Sequence, residues 1–139
     1  TLESWKARPV GYRVRHPLES TYASRTMRWS GPILLLFVLY HLADLTWGVR
    51  AVHPDFREGE VYRNLVASFR SPVSSALYIV AMAALGLHLY HGLWSMLQTL
   101  GFAHPRFYRL RRGFAAVFAF LLAAGNISIP VAGLTGLVK

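Results

Sequence analysis

Three histidines, His41, His88 and His91, lie inside apolar runs of the chain rather than at their edges. His88 and His91 stand within residues 76–100 and His41 within residues 31–48, stretches of a length and apolarity that suit a bilayer. Ionisable side chains in hydrocarbon are costly, about 2.5–3.5 kcal/mol for a central Asp, Lys or Arg on insertion scales, so their presence asks for a function. Imidazole is well suited to hold a haem iron from the axial direction, and mid-membrane histidines therefore point to an electron-carrying cytochrome. The competing reading is that they hydrogen-bond between helices and hold no cofactor.

Spacing narrows the possibilities. On a helix, the face of His88 carries Ala81, Ala84, Gly92 and Ser95, small residues that would let a flat macrocycle stand against it. His91 lies about 60° round the same helix, because three residues turn it by about 300°. One of the pair therefore ligates a given iron at most, and the other is left for a propionate, a quinone or a hydrogen bond. Around His41, Phe37 and Leu45 lie one turn to either side, and Asp44 follows three residues later on nearly the same face. A carboxylate there suits a proton relay, a quinone contact or a cation, or else it snorkels to the interface beside Trp47. His16, His53 and His104 fall in loops and read as solvated.

The elements that must position these groups are three apolar spans, at residues 29–49, 72–100 and 113–138, each near or above the roughly 20 residues a bilayer requires. Only 15% of the 139 residues are charged and 54% are hydrophobic, concentrated in these blocks. The expected fold is an all-α integral membrane bundle of three transmembrane helices in a single domain, residues 1–139. Ser30 and Pro32 suit the opening of the first helix, and Trp47, Gly48 and Arg50 its close. Residues 1–26, with Pro9, Gly11 and Pro17, read as irregular. Between the first two spans, Val61, Tyr62, Leu65, Val66 and Phe69 form one stripe of a short amphipathic helix, lying on the membrane surface or packed on the bundle's outer ends. In the third span Pro130 breaks a helical rung, and Gly125, Ala124 and Ala132 would let another helix approach closely.

The net charge of +9 is distributed as topology rather than as a nucleic-acid surface. Lys6, Arg8, Arg13, Arg15, Arg25 and Arg28 precede the first span, and Arg106, Arg109, Arg111 and Arg112 fill the link before the third. The positive-inside rule puts both on the cytoplasmic side, next to anionic lipid, and the mixed-charge connector of residues 50–70 outside. No cysteine is present, so any iron–sulfur cluster belongs to a partner.

The runs MRWSGPILLLFVLYHLADLTWG, HPDF and ALYIVAMAALGLHLYHGLWSMLQTLGFAHPR together resemble the cytochrome b membrane anchor of succinate dehydrogenase and fumarate reductase (complex II). The resemblance is to the bacterial branch with five helices and two b haems, the spans here matching helices three to five. It implies His41 and His88 as axial ligands of two different haem irons, with His91 beside the cofactor. It further implies flavoprotein and iron–sulfur partner subunits, menaquinone as electron acceptor and a place in the bacterial cytoplasmic membrane. Asp44, Trp47 and His91 are the candidates for quinone contact. The first two helices of that branch have no counterpart, which implies the C-terminal part of a longer chain or a second anchor chain. No residue suits carbon chemistry at succinate. The alternatives are a haem-free anchor and the haem b subunit of another quinone-linked oxidoreductase.

Overall fold

Four helices account for most of residues 22–138, the part of the chain that the computed structural model describes. They are α1 (Tyr22–Leu45), α2 (Val61–Arg70), α3 (Pro72–Thr99) and α4 (Tyr108–Leu134), with a short 3₁₀ turn, Pro105–Phe107, leading into the last. The described residues contain no strand, and the fold is the all-α membrane bundle that the sequence suggests. Pro72–Thr99 and Pro105–Leu134 are long and apolar enough to cross a membrane, and Trp29–Leu45 is a shorter apolar stretch. The basic segment before Tyr22, with His16, lies outside the described residues.

Helix boundaries follow local chemistry. Ser71 ends α2 in extended conformation and opens α3, its hydroxyl accepting from the Ser74 amide at 3.5 Å. Pro72 takes the first helical position, where its missing N–H costs nothing. α1 stops at Leu45, four residues short of the expected span. Gly48 adopts φ +59°, and the Val49 amide reaches back six residues to the Ala43 carbonyl at 2.9 Å, a closure one residue wider than a Schellman turn. A side chain at Gly48 would also overlap the Phe56 ring, so the turn admits only glycine comfortably.

Two boundaries differ from the sequence expectation. α1 begins before the apolar run, which places Ser30 and Pro32 in its interior rather than in its first turn. α4 begins at Tyr108, so Arg109, Arg111 and Arg112 belong to a helix and not to the link. Arg112 donates from Nε to the Tyr90 hydroxyl at 3.0 Å and also reaches Tyr108, which ties the start of α4 to α3.

α1 and α4 both pack on α3. The α3–α4 seam is built from small residues, with Ala115 and Ala119 buried and Gly86 so near Ala123 that an added Cβ would lie 3.1 Å away. Helices in lipid gain nothing from hiding apolar surface from one another, and they associate by such close backbone contact. Bulky residues such as Leu35, Leu36, Val80, Val117, Phe120 and Leu121 point outward. Gly125 and Ala124, expected at a helix contact, are instead exposed, and the close approach in that part of α4 is Gly133 against Phe69 of α2.

α2 packs across one end of the bundle on α1, α3 and α4. Its buried side carries Asn64, Val66, Ser68 and Phe69, while Val61 and Tyr62 face outward, so its inner face is more polar than the predicted stripe. Gly133→Ala should therefore lower the thermal stability of the detergent-solubilised protein by about 1–3 kcal/mol, the usual penalty for overpacking. Gly125→Ala, where an added Cβ meets nothing within 4 Å, should leave the melting temperature nearly unchanged.

Candidate functional site

The antiparallel register of α1 and α3 sets two histidines at two depths. Near the turn end of α1, His41 Nδ1 lies 3.2 Å from the Tyr78 hydroxyl of α3. Towards the other end, His88 Nδ1 of α3 lies 3.0 Å from the Ser30 hydroxyl of α1. Ten residues separate Tyr78 from His88, so the two sites stand about 15 Å apart along the bundle. His41 and His88 therefore cannot serve one iron together.

The Tyr78 hydroxyl has one proton and donates it to Asp44 Oδ2 at 3.0 Å, so its oxygen accepts from His41 Nδ1–H. Ser30 has the Met27 carbonyl, which can only accept, at 3.1 Å; with its proton placed there, its oxygen accepts from His88 Nδ1–H. Each ring then keeps its lone pair on Nε2, and among the described residues no hydrogen bond engages that atom. This is the arrangement in which a histidine ligates through one nitrogen and is oriented through the other.

The surroundings leave room beside both rings. His41 lines an open groove of about 380 Å³ shared by α1, α2, α3 and α4, whose walls include Phe37, Met82, Leu85, Leu122 and Ile129. One turn beyond His88, a side chain added at Gly92 would meet nothing within 4 Å. Of the other small residues predicted beside His88, Ala81 is buried in the bundle and Ser95 is exposed. An oriented imidazole with a free Nε2 fits a haem edge at each position, beside a largely apolar groove at His41 and open space at Gly92 near His88.

His91 projects from a different side of α3. Its ring meets Trp94 edge-to-face at 5.9 Å, and its Nδ1 is buried with no hydrogen-bond partner among the described residues. His104 is exposed and accepts from the Arg106 amide at 3.2 Å, a local cap consistent with a loop residue.

Asp44 departs most from the expected alternatives. It is 1% exposed and so does not snorkel to the interface, and Trp47, 60% exposed, stands apart from it. Ser68 of α2 donates to Oδ2 at 2.6 Å beside the Tyr78 bond. His53, expected to be solvated, is 4% exposed and sets Nδ1 3.0 Å from the Asp44 carbonyl and 2.9 Å from Oδ1. Its hydrogen aims at the carbonyl, and Oδ1 takes the electrostatic share. Burying a carboxylate is costly, and here Oδ2 is offset by two hydrogen bonds while Oδ1 makes none and has only the His53 ring beside it.

Ser30, Ser68, Tyr78 and His53 were not singled out by spacing within any one element. The signal available was that Ser30 and Tyr78 are polar residues within apolar runs, which in lipid need partners as much as the histidines do. His53→Ala should release the 46–60 hairpin from Asp44, with local stability falling by about 1–3 kcal/mol. Amide hydrogen exchange of the hairpin should rise while α3 and α4 stay protected.

Residues 7–127 match the model of one protein family, the succinate dehydrogenase/fumarate reductase transmembrane subunit. No curated protein and no solved structure matches the chain. The match covers all of the apolar stretch of α1, all of α3 and most of α4, together with both oriented histidines. The chain belongs to the succinate dehydrogenase/fumarate reductase transmembrane subunit family and is a membrane subunit of that kind of complex.

Proposed function

We propose that this chain is a haem b-carrying membrane anchor of a succinate dehydrogenase, passing electrons from an iron–sulfur subunit to menaquinone. The observation that supports this best is the matched state of His41 and His88. Each has Nδ1 committed to a hydroxyl oxygen and Nε2 free, at separate depths of the bundle. Two such donors about 15 Å apart would each hold a different haem. A b haem held at either position would supply one-electron transfer.

The chain's own residues do the rest. His41 and His88 donate through Nε2, while Tyr78 and Ser30 fix their tautomers and ring planes. The groove beside His41 is walled mostly by apolar side chains. His91, with its unpartnered Nδ1, is placed to hydrogen-bond a propionate or a quinone oxygen. Any further haem ligand would be supplied from outside the described residues, by other helices or a second anchor chain.

Arg106, Arg109 and Arg112 gather at the α3–α4 turn, opposite the end that α2 covers, and Arg111 is buried beside them. The basic end faces the bacterial cytoplasm and offers a docking face to the iron–sulfur subunit, with the flavoprotein beyond it. Carbon chemistry at succinate takes place in the partner, and this chain contributes to the enzyme as an electron-transfer subunit.

A dithionite-reduced minus oxidised spectrum of the intact complex, with haem counted as pyridine haemochrome, should give two b haems per copy of this chain. His88→Ala should remove one haem and His41→Ala the other, with the complex still assembled in the membrane. Absence of haem from the wild-type complex would reduce the chain to a structural anchor, and loss of both haems from each single variant would sink the assignment of one histidine to each.

A further inference from the structure

The network around Asp44 is larger than loop anchoring requires. His53 and Ser68 would suffice to pin the hairpin and α2 to the end of α1, since both already reach Asp44. Tyr78 adds a second hydrogen bond to the carboxylate, on the same Oδ2 that Ser68 reaches, and extends it to His41. The path runs one way, from His41 Nδ1–H to the Tyr78 oxygen and from the Tyr78 hydroxyl to Asp44 Oδ2. Its far end is a carboxylate that is 1% exposed. At His88 the corresponding path ends on the main-chain carbonyl of Met27, a neutral acceptor.

The Tyr78 ring is itself held. It is 5% exposed and meets Phe37 edge-on at 5.0 Å and Phe69 at 4.7 Å. Its hydroxyl therefore has little freedom to find other partners. A hydrogen bond backed by a charge is about twice as strong as a neutral one, and bonds in a chain polarise each other. A carboxylate behind the hydroxyl draws the Nδ1 proton outward and makes Nε2 a stronger donor.

Resting on the haem-ligand reading above, we propose that Tyr78 and Asp44 are positioning residues for His41, fixing its ring plane and tautomer and strengthening its Nε2 as an electron donor to iron. A stronger donor favours the ferric state, so this pair holds the midpoint potential of the His41 haem below what the imidazole alone would give. Ser68 and His53 serve the same end by keeping the carboxylate in place. α2 and the hairpin thereby act on a site neither of them lines with a ligand.

The test is a redox titration of haem absorbance in the intact, purified complex. Tyr78→Phe keeps the ring contacts and deletes only the hydroxyl, and Asp44→Asn keeps the shape and removes the charge. Both variants should raise the midpoint of one haem, the one that His41→Ala removes, and leave the other unmoved. Retention of that haem against a haem-binding competitor should weaken by about 10-fold or more. Ser30→Ala should act on the other haem only.

Two haems at wild-type midpoints in Tyr78→Phe would overturn the proposal while leaving the ligand assignment standing, and so would an equal shift of both. A wild-type complex without haem would instead overturn the ligand reading on which the proposal rests. If Asp44→Asn fails to assemble, Tyr78→Phe decides alone, because the carboxylate and the aromatic packing remain.

Discussion

A single carboxylate, buried at the end of the first helix, must be satisfied without water, and much of the chain is arranged to do so. Asp44 draws donors from three separate segments: His53 in the hairpin, Ser68 in α2 and Tyr78 in α3. Oδ2 takes both hydroxyl bonds and Oδ1 keeps only the nearby His53 ring nitrogen, so losing any one segment would leave a buried charge with still fewer partners. The left-handed turn at Gly48 sends the chain back over the helix end, where His53 can reach its target. Asn64 and the Arg57 main chain then exchange two hydrogen bonds, at 2.9 and 2.6 Å, which fasten α2 to the same corner.

Elsewhere the bundle follows the economy of helices in lipid. Close contact is made by alanine and glycine along α3 and α4, while the leucines, valines and phenylalanines turn outward to meet acyl chains. A seam of small residues brings backbones together but fills little space, and it leaves apolar grooves such as the one that His41 enters. A chain packed this way keeps a thin core of its own and offers shaped surface to whatever sits against it.

Much of this architecture is legible from residue order. The apolar runs locate the spans, and the second begins at Pro72 as its run predicts. The sequence is less informative where partners are far apart along the chain. Ser30 reads as a helix cap because its role depends on His88, 58 residues later. His53 reads as solvated beside Pro54, since nothing local shows that Asp44 lies over it. The apolar stripe of α2 identifies the helix but misplaces its inner face, because hydrogen bonding through Asn64 and Ser68 outweighs burial of Val61. Apolarity likewise misses the start of α1, which extends into polar sequence as far back as Tyr22. Periodicity reports which surfaces avoid water; it does not report which polar groups will find one another.

The pairing of α1 with α3 is reciprocal. α1 carries one of the two oriented histidines and the hydroxyl that orients the other, and α3 does the same in reverse. Sliding one helix past the other by a single turn, about 5.4 Å, would strip both rings of their partners at once. The two depths of the bundle are thus geared together: neither can be set correctly while the other is wrong. Assembly has one alignment to find rather than two, and an inherited change that shifts one helix is felt at both histidines.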